Sequence, residues 1–343
     1  MKYLIFRTDR VGDFLITLPL IKCIKRNSIN SQISVVTSPK NQEFVQKNNF
    51  VDKIYVLKSN KFIDKIKLFF ELKKETYEAI VVSDKKNRSI IISLFLIAKK
   101  KIFNTSKIFQ NRVLKIFFEF VFLDNEKNED LSIQKILKKN CESLSFDLNK
   151  DDFIFFSKNQ FKDQFEFDKN LKIDNSNYIV LHYDEKWELD KYSKLFRKAT
   201  NLSDIKTTKE NFVKLLFKLS EKLSMKIIIT TGYIDTKIIG ELKLIATKIE
   251  NSLYELNFTN KGFYMITNQN FFSLSHLISK SNLFISCHGA FTHIASNYNV
   301  KILDIIEESK KTHYSKITSH MENYNPLFRK DSTLLFEEIV NRS

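Results

Sequence analysis

The chain has 343 residues, 43% of them hydrophobic and 28% charged, which excludes the disordered and fibrous classes and suits two domains of roughly 150 residues each. Its formal net charge of +16 suits an anionic partner such as nucleic acid, a phosphorylated ligand or a membrane surface, although the abundance of Lys, Asn, Ile and Phe also fits a coding bias. Three cysteines, Cys23, Cys141 and Cys287, lack CxxC or zinc spacing, so a disulfide framework is excluded and a reducing compartment expected.

In chain order, the first apolar run, Tyr3–Phe6, is too short for a secretory signal and is ended by Arg7. Ile90–Ala98 and Ile116–Leu123 fall well below the roughly 20 residues needed to cross a bilayer. A cytoplasmic protein is expected. Strands are predicted at Lys2–Phe6, Gln32–Thr37, Lys53–Leu57 and Glu78–Ser83, with helices at Asp13–Lys25, Gln42–Lys47 and Phe62–Lys74 between them. Residues 125–177 are charged and weakly patterned, and a linker is placed around Phe161–Asn177. Strands then return at Tyr178–His182, Lys226–Thr231, Leu283–Ser286 and Lys301–Ile305. Helices are predicted at Asn211–Leu223, Thr236–Glu250, Leu274–Lys280 and Phe291–Asn297, and Ser332–Asn341 closes the chain. This alternation implies parallel βαβ units, so an α/β protein of two Rossmann-like, doubly wound domains is predicted: 1–165, 175–330, and a closing helix over 331–343.

The stretch Phe6-Arg7-Thr8-Asp9-Arg10-Val11-Gly12-Asp13 hands the first strand to the first helix, at the carboxyl edge of the sheet, where open α/β sheets bind ligands. Gly12 permits close backbone approach. Asp13 falls on the first helical turn, where the dipole favours an anion, and Arg7 and Arg10 are candidates to hold anionic groups. The same residues also suit a plain helix start with solvated arginines. No GxGxxG is present, which argues against a dinucleotide site here.

Arg7-Thr8-Asp9-Arg10-Val11-Gly12-Asp13, followed by Leu15, Thr17 and Pro19, resembles the N-terminal signature of the heptosyltransferases, glycosyltransferase family nine. The resemblance implies a GT-B architecture with a central cleft and an inverting transfer of heptose or a related sugar. The donor would be a nucleotide-diphospho-sugar, and the acceptor a lipopolysaccharide-type or other cell-envelope glycan. It implies that Asp13 is the general base, taking the proton of the acceptor hydroxyl as it attacks the anomeric carbon.

In the second half, Tyr178–His182 precedes Tyr183-Asp184-Glu185-Lys186-Trp187, which resembles the family's loop with a Lys near a Trp. Lys186 is then the candidate contact for the donor diphosphate, against the plainer reading of one more surface lysine. Ile227–Thr231 runs into Gly232, where the family has a glycine turn followed by an acidic residue near the nucleoside; Asp235 takes that place. Leu283–Ser286 leads into Cys287-His288-Gly289-Ala290-Phe291-Thr292-His293, which looks like the family's Asp-(Ser/Thr)-Gly-x-x-His block gripping the nucleotide. Helix N-termini suit phosphates, and His288 and His293 are candidate donors to a leaving diphosphate. Cys287 stands where the family has Asp, and one extra residue separates Gly289 from His293. A thiol nucleophile at Cys287 beside His288 is a minor alternative without a third orienting group. With no Asp-x-Asp pair, neither a metal nor another cofactor is expected; Lys186, the glycine turn and the histidines would neutralise the diphosphate.

From Lys85 to Phe118 nine basic residues occur with no acidic one, interleaved with apolar residues. This segment falls in the half that the resemblance assigns to an anionic glycolipid acceptor, so peripheral contact with the inner membrane surface through 85–118 is expected, against the plainer reading of Ile90–Ala98 as a buried helix. Nucleic-acid signatures are absent. A non-catalytic nucleotide-sugar or glycan-binding relative is the competing reading, motivated by Cys287.

Overall fold

A computed structural model describes residues 1–104, 121–123, 132–165, 171, 177–188, 205–234, 236–257 and 262–343. The chain divides into two compact units, Met1–Phe155 and Phe156–Ser343.

In the first unit the strands are β1 (Lys2–Phe6), β2 (Gln32–Thr37), β3 (Lys53–Val56), β4 (Tyr77–Val82), β5 (Ala98–Asn104) and β6 (Val121–Leu123). They form one sheet in the order β3-β2-β1-β4-β5-β6. Every pairing is parallel, with Leu4 beside Ser34 on one side and Ile80 on the other. Leu4, Ile5 and Phe6 have no exposed surface, as expected of a parallel strand covered on both faces. The crossovers are α1 (Val11–Asn27), α2 (Gln42–Gln46), α3 (Phe62–Leu72) and α4 (Asn87–Leu94), followed by α5 (Ile133–Ser143). Leu68 and Leu72 of α3 share a buried cluster with Ile90, Ile92 and Leu94 of α4, so both helices pack on the same face of the sheet.

The second unit continues with β7 (Tyr178–Tyr183), α6 (Lys209–Leu223), β8 (Lys226–Thr231), α7 (Lys237–Lys243), β9 (Thr247–Lys248), β10 (Leu253–Glu255), β11 (Phe263–Ile266) and α8 (Phe271–Ser279). Then follow β12 (Leu283–Cys287), α9 (Ala290–Asn297), β13 (Lys301–Ile306), α10 (Lys311–Ile317), β14 (Tyr324–Phe328) and α11 (Ser332–Arg342). The sheet order is β14-β13-β12-β7-β8-β11-β10-β9, antiparallel only at β10–β11 and β9–β10. Phe161 packs on Phe156 and Phe272, which ties the start of this unit to α8. Leu335, Phe336 and Ile339 of α11 belong to the same core as Trp187 and Phe212.

Two predicted elements differ. The helix expected over Thr236–Glu250 ends at Lys243, and Thr247–Lys248 instead pairs with Tyr254–Glu255 as an edge hairpin. Edge pairing of the β-branched Thr247 overrides the helical spacing. Ile90–Ala98, read alternatively as one buried helix, splits between the end of α4 and the start of β5, and Ile91 faces solvent.

Candidate active site

The parallel strands of each sheet reverse their order once, and ligands of open α/β sheets bind outside the carboxyl ends of the strands at that reversal. In the first sheet the reversal lies between β1 and β4, so the loops 7–10 and 83–86 flank it. In the second it lies between β7 and β12, flanked by 184–187 and 288–289. Arg7, Arg10, Lys186, His288 and Gly289 sit on these loops, Gly12, Asp13 and His293 follow on α1 and α9, and Gly232 follows β8.

In the first unit Arg7 is buried. Its Nε donates to the Asp13 carbonyl at 2.7 Å and its Nη1 to the Ser83 carbonyl at 2.5 Å, so it ties the start of α1 to the end of β4. Arg10 is exposed at the N-cap of α1, and its backbone N–H donates to Asp13 Oδ2 at 3.2 Å, which anchors the carboxylate on the first turn. Asp13 and Gly12 are half-buried. Two further carboxylates gather at this edge. Asp84 is buried and accepts from Thr8 Oγ1 at 2.6 Å, Ser89 Oγ at 2.7 Å and the Lys86 N–H at 3.1 Å. Burial raises the Asp9 carboxyl above its ordinary pKa, with Arg7 pulling the other way. Sequence reasoning passed over Asp84 because a lone aspartate after a strand carries no spacing signal.

In the second unit the Asp184 side chain accepts from the Lys186 N–H at 3.1 Å and closes the turn after β7. Trp187 anchors the turn: it is fully buried, donates from Nε1 to the His182 carbonyl at 2.9 Å and stacks on Tyr183. Lys186 Nζ lies 3.0 Å from Asp184 Oδ2 and donates to the His288 carbonyl at 3.0 Å. Burial opposes its charge, but the Asp184 carboxylate outweighs burial and holds the ammonium above the usual lysine range.

Both glycine turns press on this loop. A Cβ on Gly289 would lie 3.0 Å from Lys186 Nζ, and one on Gly232 would lie 2.9 Å from Glu185 Oε2 and 3.2 Å from Asp184 Cβ. Neither glycine adopts a left-handed φ, so close approach rather than backbone strain accounts for them. Lys186, Gly232, His288 and Gly289 are thereby brought together. Asp235 lies outside the described residues.

His288 Nδ1 is 2.6 Å from Asp304 Oδ2, and its ring faces those of His293 and Tyr314. His293 is buried on the first turn of α9. Burial, then the neighbouring His288 and His320, hold its pKa well below the ordinary range, so it is a neutral ring at pH 7. Burial likewise pushes the Cys287 thiol up to about 12, with Arg329 Nη1 at 3.4 Å from Sγ pulling down. Cys287 is therefore a neutral thiol at pH 7, which removes the alternative of a thiolate nucleophile. Among the described residues, no group of three or more His, Cys, Asp or Glu is placed to hold a metal ion.

No protein-family model matches the chain, and no curated protein sequence matches it significantly. Its fold does match solved structures. The glycosyl transferase family 9 protein of Veillonella parvula superposes with a TM-score of 0.69 at 12% identity, over 100% of this chain and 91% of that one. The fold is GT-B. Heptosyltransferase WaaC of E. coli, solved with ADP-2-deoxy-2-fluoro heptose, matches at a TM-score of 0.64 and 10% identity over 100% of both chains. UDP-GlcNAc 2-epimerase of Methanocaldococcus jannaschii shares the GT-B fold at a TM-score of 0.55 and 14% identity, over 99% of this chain and 92% of that one. Transferases and epimerases thus use one architecture, and the chemistry has to be argued from the site.

Proposed function

We propose that the protein is an inverting glycosyltransferase of the family-nine, heptosyltransferase type. It moves heptose or a related sugar from a nucleotide-diphospho-sugar to an anionic cell-envelope glycan of the lipopolysaccharide kind. The observation that carries this reading is the convergence of Lys186, Gly232, His288 and Gly289 at the strand reversal of the second unit. Two glycine turns and a lysine cation suit a diphosphate there, and the N-terminus of α9 adds its backbone N–H groups.

In this reaction the second unit holds the donor diphosphate, with Lys186 supplying charge and His288 and the neutral His293 supplying N–H donors. The first unit supplies the base. The Asp13 carboxylate takes the proton of the acceptor hydroxyl, the freed oxygen attacks the anomeric carbon, and the bond to the diphosphate breaks with inversion as the nucleoside diphosphate leaves. The arginine role divides. Arg10 is the exposed candidate for an anionic acceptor group, while Arg7 orients the loop through its two carbonyl partners. Asp13→Asn keeps an oxygen acceptor for the Arg10 N–H but no base. Transfer is expected to fall by about 10²–10⁴-fold while nucleoside diphosphates still raise the melting temperature. A fully active variant removes Asp13 as the base. Nucleotide binding by the wild type without turnover of any donor supports the non-catalytic reading, which Cys287 in place of the family's Asp motivates.

Peripheral contact with an anionic membrane also belongs to this reading. Residues 105–118 of the basic stretch lie outside the described residues. Within the described part, Ile91, Phe95 and Ile97 are exposed, and the neighbouring α3 exposes Phe62 at 74% and Phe70 at 59%, with Ile63 and Ile66 between. Lys58, Lys61, Lys67, Lys73 and Lys74 are exposed around them. Aromatic and aliphatic side chains ringed by lysines suit insertion at an anionic headgroup layer. Among the described residues no helix is long and apolar enough to cross a membrane.

A further inference from the structure

Cys287 leaves the turn from β12 into α9 without a carboxylate of its own, yet one is present on the next strand. Asp304 lies on β13, in parallel register with Ser286 of β12. The His288 N–H donates to the Ile305 carbonyl at 3.2 Å, which carries the ladder one residue past β12 and brings the imidazole over Asp304. Asp304 has no exposed surface. Its Oδ1 accepts from Thr292 Oγ1 at 3.1 Å, and its Oδ2 accepts from Tyr324 OH at 2.9 Å as well as facing His288 Nδ1 at 2.6 Å. A carboxylate held by hydroxyls from α9 and β14 has little freedom to turn, so the ring it engages is fixed too.

Resting on the reading of the second unit as the donor unit, we infer that Asp304 is a positioning residue, supplied from the adjacent strand, that locks His288 with Nδ1–H toward the carboxylate and Nε2 free to serve a donor diphosphate. Once Nδ1 is committed to Asp304, Nε2 is the ring's remaining polar atom, and it donates a hydrogen bond when the ring takes its second proton. The other titratable groups around the ring are His293 of α9, Tyr314 of α10 and Lys186, whose Nζ reaches the His288 carbonyl.

The test uses the full chain in two measurements. The first follows the His288 ring by ¹⁵N NMR on histidine-labelled protein without ligand. The wild type is expected to show a protonated Nδ1, and Asp304→Asn is expected to lose that state. The second measures affinity for ADP, UDP, GDP and CDP. The tightest of them should bind Asp304→Asn about 10-fold more weakly than the wild type. Should Asp304→Asn fail to fold, two variants that keep Asp304 serve instead. His288→Gln places an amide near Nε2 and His288→Asn one near Nδ1, so the Gln variant should retain more diphosphate affinity. An unchanged His288 ring in Asp304→Asn, or equal losses in the Gln and Asn variants, overturns the inference while nucleotide binding stands. Absence of binding by the wild type to any of the four nucleotides removes the donor reading, and the inference with it.

Discussion

At the scale of single residues, the glycines separate by what surrounds them. Gly232→Ala forces its Cβ against Asp184 Cβ at 3.2 Å, in the turn that holds Lys186, so it should cost about 1–3 kcal/mol in chemical denaturation. Gly240, inside α7, has nothing within 4 Å of its missing Cβ, and Gly240→Ala should raise stability by about 0.5–1 kcal/mol through helix propensity. The two substitutions are chemically identical, so opposite signs would show that close approach, not glycine content, shapes the site. Histidines make a second prediction. Burial lowers the pKa of His182 and of His320 to about 4, and that of His293 well below its ordinary value. A depressed folded-state pKa means that the unfolded chain binds the proton first. The associated stability is complete above about pH 6.5 and is lost as the pH falls from there toward 4. For His182 the loss should reach about 2 kcal/mol by pH 5. His182→Asn, whose amide takes the Nδ1 place opposite Thr230 Oγ1, should flatten that part of a stability–pH curve.

At the scale of elements, most of what mattered was legible. Lys2–Phe6, Gln32–Thr37 and Lys226–Thr231 read as strands and are strands, because short runs rich in Ile, Val, Tyr and Phe bounded by polar residues suit a sheet buried on both faces. Helix α5 was missed inside a charged segment. It carried a signal nevertheless: Ser132 caps it by accepting from the Lys135 N–H, and Ile136, Leu137, Asn140 and Cys141 recur at helical spacing. Strand β11, Phe263–Ile266, was missed because four apolar residues fit strand or helix equally, and only pairing with β8 decides. Helix α3 was predicted, but its exposed apolar face was not, because periodicity finds two kinds of surface without saying which one is covered. Phe62→Ser combined with Phe70→Ser should abolish flotation with anionic vesicles and leave the melting temperature within a few degrees, since both rings are already mostly in water. An equal loss of stability would show that these rings are packed rather than presented.

At the scale of the whole molecule, the charge of +16 and the division into two units lead to separate expectations. Binding of anionic vesicles should weaken as salt rises from about 0.05 to 0.5 M, because screening shortens the reach of exposed lysines. The core around Trp187 and Phe212 draws only on residues of 156–343, and the core around Phe6 and Leu72 only on residues of 1–155. A fragment spanning 156–343 should therefore unfold cooperatively by itself and be stabilised by the nucleoside diphosphate that the intact chain prefers. A fragment that remains unfolded would show that this core needs the other unit.

The local sequence by itself determined the alternation of strands and helices, the glycine turns and the placing of Asp13, Lys186 and His288 just beyond strand ends. Each of these follows from neighbours within a few positions. Tertiary structure alone decided that Arg7 braces a loop, that His293 is neutral, that Cys287 keeps its proton, and that Asp304 reaches His288 from the next strand. Those outcomes depend on burial and on which strands become neighbours, and strand order leaves no trace in local spacing.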